Sequence, residues 1–279
     1  MKKCYRPVLA VMLLLIGLSV KSWAQVSIAP TTLYTDANGI STFYITNPAA
    51  TSQEITVSFV FGYPAHNENG ELYMVYEDAE KEAIWGLGSR LRVFPRSFIL
   101  APNKQQVVRV QVLPDRSKPE GMYFSRVKIT SNTQAADIGT EAGDGVSMKV
   151  NFKFDQILAV FHRQGTATTS LQLGETAYVK EGNKLHVTSQ FTRGGNAPFI
   201  GSAHAVLRDA QNQVVAEQRQ TVALYYDARH RVTLELPDEF IMGDYELELD
   251  YRTERGDVSA SDLVKGAPVR KLLRISLPR

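Results

Sequence analysis

The sequence predicts an all-β chain of two immunoglobulin-like β-sandwich domains behind an amino-terminal export signal. Nearly every apolar run after Gln25 is short, alternates with polar residues and is rich in Val, Ile, Phe, Tyr and Thr, the period-two pattern of half-buried strands. Turn clusters punctuate the runs: Ala37-Asn38-Gly39, Asn47-Pro48, Asn67-Glu68-Asn69-Gly70, Gly182-Asn183 and Arg193-Gly194-Gly195-Asn196. About 255 residues follow the signal, enough for two cores of ordinary size.

Residues 1–24 read as a signal peptide. Met1 to Arg6 are a basic n-region, Pro7 to Val20 are an apolar stretch too short to span a bilayer comfortably, and Ser22-Trp23-Ala24 fits a small-x-small cleavage signature. Lys2, Lys3, Arg6 and Lys21 leave with it. Of the 31 Lys and Arg, 27 remain against 29 Asp and Glu, and the formal net charge moves from +2 to −2. No basic run interleaved with aromatics is left, which argues against nucleic-acid binding. The single cysteine, Cys4, lies in the same segment, so each domain must be held by its hydrophobic core without disulfides.

The amino-terminal domain is expected over residues 25–163. Its strands fall near Val26–Tyr34, Ser41–Thr46, Glu54–Phe61, Leu91–Leu100, Gln105–Leu113, Met122–Ser131 and Met148–His162, and seven strands in about 140 residues fit an immunoglobulin-like sandwich. Tyr76–Ala83 (YEDAEKEA) is helix-compatible and sits in a long connection between Pro64 and Leu91, as a charged surface turn or short helix. Phe94–Ile129 reads as three consecutive antiparallel strands, broken at Ala101-Pro102-Asn103-Lys104 and again from Pro114 to Pro119. Arg109 interrupts a strand of Val and Gln. If it faces inward it needs a partner, and Glu120 is the nearest candidate.

Asn132–Gly145 (NTQAADIGTEAGDG) is small, acidic and aperiodic, and is expected to be a loop. Residues 164–170 read as the linker and 171–279 as the carboxy-terminal β-sandwich domain. Strands are expected there around Lys184–Thr192, Ser202–Arg208, Val214–Val222, Arg231–Leu236, Asp244–Arg252 and Lys271–Leu277.

The last strand of the first domain is where function is expected. Met148, Val150, Phe152 and Phe154 fall on one face, and Lys149, Asn151, Lys153 and Asp155 on the other. Period two then breaks, because Ile157 to Phe161 is continuously apolar. The plain reading is an ordinary strand with one face in the core. The sharper one is an edge strand that lends its hydrogen-bonding edge and a row of large side chains to a partner lacking a strand.

The opening VSIAPTTLY, the Pro95…Leu100-Ala101-Pro102…Val108-Arg109-Val110 segment, Glu120 ahead of Tyr123, and the loop followed by Met148/Val150/Phe152/Phe154 together resemble the PapD-like periplasmic pilus-assembly chaperones. EGMYFSR is similar to the Glu-Gly-x-Tyr motif of that family's non-classical, archaic-type branch. The resemblance covers about Val26 to Arg163, and the rest only by β-rich character. It implies a chaperone in the periplasm of a Gram-negative bacterium, exported by the Sec route. Such a protein caps pilus, fimbrial or other secreted β-rich subunits by donor-strand complementation, delivers to an outer-membrane usher, and uses no cofactor. It also maps an ion-pair cluster beneath the domain junction onto Arg109, Glu120 and one of His162 or Arg163.

One departure is serious. Conventional members of the family anchor the subunit's terminal carboxylate with an arginine on the first strand and a lysine on the last. The matching positions here are Thr32 and Leu158, which carry no charge, and a buried carboxylate without a cation is costly. Arg92, Arg96 and Arg126 are the candidate substitutes.

Catalytic and metal patterns are missing from the sequence. His66, His162, His186, His204 and His230 are scattered, without metal-ligand spacing, and no GxSxG, HExxH, P-loop or GxGxxG occurs. Glu246/Glu248/Asp250 alternate as an outer strand face does. Trp85 and Tyr225-Tyr226 read as the rim of a core ahead of a sugar platform. The expectation is a binding protein without metal or catalysis. The alternative is an exported β-sandwich binding or structural module, for a surface glycan or associated with fimbriae.

Overall fold

The computed structural model describes residues 26–133 and 153–277. In chain order the first half holds β1 (Ser27–Ala29), β2 (Thr32–Tyr34), β3 (Ile40–Thr46), β4 (Gln53–Val60), β5 (Gly62–His66), β6 (Leu72–Tyr76), α1 (Ala79–Trp85), β7 (Leu91–Phe94), β8 (Ser97–Leu100), β9 (Gln105–Val112), β10 (Gly121–Thr133) and β11 (Lys153–Gln164). The second half holds β12 (Thr169–Glu181), β13 (Lys184–Gly195), β14 (Phe199–Arg208), β15 (Val214–Leu224), β16 (Ala228–Glu235), β17 (Gly243–Arg252) and β18 (Val269–Leu277). No helix among the described residues is long and apolar enough to cross a membrane.

Alternation builds both halves. In β9 every second residue, Val108, Val110 and Val112, is buried, and Gln105, Val107, Arg109 and Gln111 face out. In β13 the inward set is Leu185, Val187, Ser189 and Phe191. The first sandwich stacks a sheet of order β1-β3-β9-β7 on one of order β2-β11-β10-β4-β8. The second stacks β12-β13-β16 on β15-β14-β17-β18. Each encloses its own apolar core, centred on Phe43, Ile45, Ile55, Val108 and Val127 in the first and on Phe191, Phe199, Leu207, Leu247 and Tyr251 in the second. This is the two-sandwich architecture the alternation predicted.

Two predicted strands each divide between sheets. Val26–Tyr34 breaks at Pro30: β1 pairs with β3 in one sheet, and β2 pairs parallel to β11 in the other. Leu91–Leu100 breaks at Pro95, with β7 on β9 and β8 on β4. Proline has no N–H to give to a ladder, so a strand can end its pairing there and cross to the facing sheet. The crossings lace the two sides of the first sandwich.

The connection from Pro64 to Leu91 is more ordered than its sequence suggested. β5 and β6 form a hairpin of their own, separate from either sandwich sheet, with Pro64 inside it. Helix α1 follows. Asp78 caps it, accepting from Lys81 N at 3.0 Å and from the Tyr63 hydroxyl at 2.7 Å. Burial and that hydrogen bond push the Tyr63 hydroxyl up to about 12, and the same bond leads the causes that lower the Asp78 carboxyl. Asp78→Ala removes the cap and strands the Tyr63 hydroxyl together. A fall of a few degrees in the thermal midpoint, with loss of hydrogen-exchange protection confined to α1, is the expected result.

The segment 164–170 read as a linker from the sequence overlaps the end of β11 and the start of β12. β11 runs on to Gln164, and β12 pairs with β13 from Thr169 opposite Gly195, leaving residues 165–168 between them.

Candidate partner-binding edge

Strand β11 pairs antiparallel with β10 along its whole length, from Lys153 opposite Asn132 to Gln164 opposite Gly121. On its other edge the one strand among the described residues is β2, at Ala159, Val160 and Phe161. Extending β2 backward would cover residues 158, 157 and so on, but the chain turns away at Pro30 and joins the opposite sheet. Among the described residues no strand pairs with residues 155–158 on that edge, and there Gln156 Nε2 donates to Val26 O at 2.8 Å. Met148, Val150 and Phe152 lie outside the described residues. Phe154 is described: it stands opposite Ser131, 36% exposed, on the same face as the buried Leu158 and Val160.

The continuous apolar run at residues 157–161 does not break the alternation. Leu158 and Val160 enter the first core, whereas Ala159 and Phe161 point the other way into a third apolar cluster, with Phe61, Tyr63, Met122 and Phe124 from the first half and Ile200, Tyr225 and Leu263 from the second. Both faces are covered there because the second sandwich packs on the first. Ile157, one step short of that cluster, is 40% exposed. Beside it, Asp155 accepts from Lys128 at 2.6 Å and from Thr130 Oγ1 at 2.6 Å, and its carboxyl is held below the usual range, first by the lysine.

The same parity decides Arg126. On β10, Tyr123, Val127 and Ile129 face the first core, and Met122, Phe124 and Arg126 face the junction. Arg126 is 9% exposed. Its Nε donates to Gly62 O at 2.9 Å, an Nη2 proton reaches the Tyr225 hydroxyl at 3.4 Å, and the guanidinium lies 5.7 Å from the Tyr225 ring centre. No carboxylate is within 4 Å of it among the described residues. Arg126 shares a row with Ala159 and the uncharged Thr32. Arg92 and Arg96 are exposed at the far side of the sandwich, on β7 and in the β7–β8 crossing. Arg92 donates to Ser89 O and Leu91 O.

The expected Arg109–Glu120 pair does not form. Arg109 belongs to the outward set of β9, opposite Thr42 and Phe94, and is exposed. Glu120 turns to the linker, where its Oε2 accepts from Thr166 N at 3.1 Å. The tie beneath the junction is Arg90 instead, donating to Leu113 O at 2.8 Å and Gln164 Oε1 at 3.1 Å, with its guanidinium 5.7 Å from the Tyr123 ring centre. His162 Nδ1 meets Thr35 Oγ1 at 2.8 Å, and burial lowers its pKa. Arg163 donates to Asp262 O at 3.0 Å, reaching the second half. Asn196 completes the junction by donating to both Glu120 O and Thr166 O at 3.0 Å. Trp85 packs at the rim of the third cluster under Arg193, and Tyr225 is buried within it.

Neither a scan of protein-family models nor a search of curated proteins finds a match to this chain. Solved structures similar to it include one of the SafA pilin in complex with the SafB chaperone from Salmonella enterica. That match has 16% identity and TM-score 0.40, covering 89% of this chain and 96% of the other. The chaperone DraB of E. coli gives 11% and 0.42, covering 91% and 97%. The CsuC–CsuE chaperone–tip subunit pre-assembly complex, from archaic chaperone-usher pili of Acinetobacter baumannii, gives 9% and 0.42, covering 90% and 98%. By their printed names these neighbours are one chaperone and two chaperone–subunit complexes.

Proposed function

We propose that this chain is an exported chaperone that binds pilus, fimbrial or similar surface-assembly subunits in the periplasm by lending them strand β11. The observation that carries the reading is the β11 edge over residues 155–158, which no strand among the described residues pairs because the chain turns away at Pro30. An unpaired edge invites another strand, and native proteins usually blunt such edges. In the sequence Met148, Val150 and Phe152 precede it, and Phe154 sits on the face that runs into the core. A subunit lacking one strand would gain main-chain hydrogen bonds from the edge and side-chain contacts from the alternate residues.

The anchoring differs from the conventional arrangement. Thr32 and Leu158 are uncharged, Arg92 and Arg96 lie at the far side, and Arg126 is committed to the junction. Edge pairing and apolar insertion, without a cationic clamp, are the proposed source of affinity. The two domains are taken as residues 26–164 and 169–277, and an outer-membrane usher is the proposed recipient.

Co-expression in a bacterial periplasm with small β-rich secreted proteins encoded nearby, followed by pull-down, tests the reading. The wild-type chain should co-purify with such a subunit and keep it soluble. The Phe152→Asp, Phe154→Asp double variant should keep its circular dichroism and thermal midpoint but lose the subunit. A double variant that folds normally and protects the same subunits sinks the proposal.

A further inference from the structure

We propose that His66 and His230 form a pH-sensitive clasp: with both rings neutral it holds the β5–β6 hairpin on the second sandwich, and protonation of either ring releases the hairpin. The two residues are 164 positions apart in sequence, and their rings meet edge to face, with centroids 5.4 Å apart at 78°. His66 ends β5 in the first half, and His230 lies on β16 in the second.

Hydrogen bonding fixes the charge state of His230. Its Nε2 lies 3.0 Å from Gln220 Nε2, and the same amide nitrogen donates to Arg231 O at 3.0 Å. A carbonyl partner requires the NH2 side of Gln220 to point there, since a flipped amide would set oxygen against oxygen. His230 Nε2 must then accept, so the proton of the neutral ring sits on Nδ1 and is donated to the Tyr251 hydroxyl at 3.0 Å. A second proton on the ring would put N–H against N–H at Gln220. The ring is also buried, and it meets another histidine edge to face instead of a carboxylate.

The surroundings offer no compensating negative charge. From β17 comes Tyr251, itself buried with its pKa raised; from β15 comes Gln220; on β13 the residue opposite His230 is Ser189. Around His66, Glu71 in the hairpin turn is engaged by Arg231 at 2.5 Å and Asn67 at 2.8 Å, and Arg229 donates to Glu68 O. His186 on β13 pairs with Glu181 and Thr233. Among the described residues the histidines with a carboxylate within 4 Å are His186 and His204, and neither His66 nor His230 has one.

Burial lowers the His66 pKa and takes that of His230 down to about 3, from an ordinary value near 6.5. The sign follows. Below about 6.5 the released or unfolded form binds more protons than the docked form, so docking is at full strength above that pH and weakens as pH falls toward 3. Each proton taken up shifts the equilibrium about tenfold per pH unit inside that window.

The clasp lies away from the β11 edge, so it stands or falls independently of the subunit-binding reading. Hydrogen exchange of the full chain between pH 7.5 and 4.5, corrected for intrinsic rates, tests it. Protection of residues 62–76 should fall with pH while β3 and β9 stay protected, and the fall should be shallower in His66→Gln. Hairpin protection independent of pH, loss only together with the sandwich strands, or an equally steep fall in His66→Gln would overturn the proposal.

Discussion

Arg126→Ala should lower the stability of the chain by about 3 kcal/mol, read as a drop in the urea midpoint. The guanidinium is buried at the junction, donates to Gly62 O and lies over Tyr225. Truncation removes the donor to that carbonyl, at about 1–3 kcal/mol for a buried group left without its partner, and opens a cavity among Phe124, Tyr225 and Tyr63. Arg126→Lys should recover only part of the loss, because a lysine offers a point charge in place of a planar fork that stacks. Subunit binding by the folded fraction should persist, since the proposed edge is on β11. If Arg126→Ala is as stable as the wild type but loses its subunit, the arginine is held at a cost for binding, and the reading without a cationic clamp fails.

Gly70→Val should release the hairpin at neutral pH, with a loss of about 2–3 kcal/mol in hairpin docking. Gly70 has φ +77°, a region where a β-branched residue is strained, and a Cβ there would lie 2.8 Å from Arg231 N. That same N–H donates to Gly70 O at 3.1 Å, so the substitution attacks the turn and its contact with β16 together. The hairpin belongs to neither sandwich sheet, so both sandwiches should survive. Hydrogen exchange should show residues 62–76 exposed, with β9 and β14 unchanged. An unchanged hairpin would mean the turn can shift without undocking.

The strands of both sandwiches were legible because alternation is a local property: which residues of β9 face inward is settled by period two alone. Strand β11 was read from the same pattern, but the apolar run at residues 157–161 looked like a break in it, because the third cluster, which covers its other face, lies far away in sequence. Arg109 shows where the approach failed. Its sequence neighbours suggested an awkward buried charge, but parity with Val107 and Gln111 puts it on the outer face, and Glu120 has its own use at the linker. The hairpin was hidden by Pro64 and by its short strands. The His66–His230 contact was invisible because the two rings meet only after the second sandwich docks.

The sequence by itself determined most strands of the two sandwiches and the absence of charge at Thr32 and Leu158. Each of these depends on a residue and its near neighbours. Tertiary structure alone decided that Pro30 sends the first strand to the opposite sheet and limits its pairing with β11 to residues 159–161, and that Arg126 faces a second domain instead of solvent. It likewise joined two distant histidines into one contact. Those outcomes depend on which surface packs on which, and apolar burial is non-directional, so no local pattern records it.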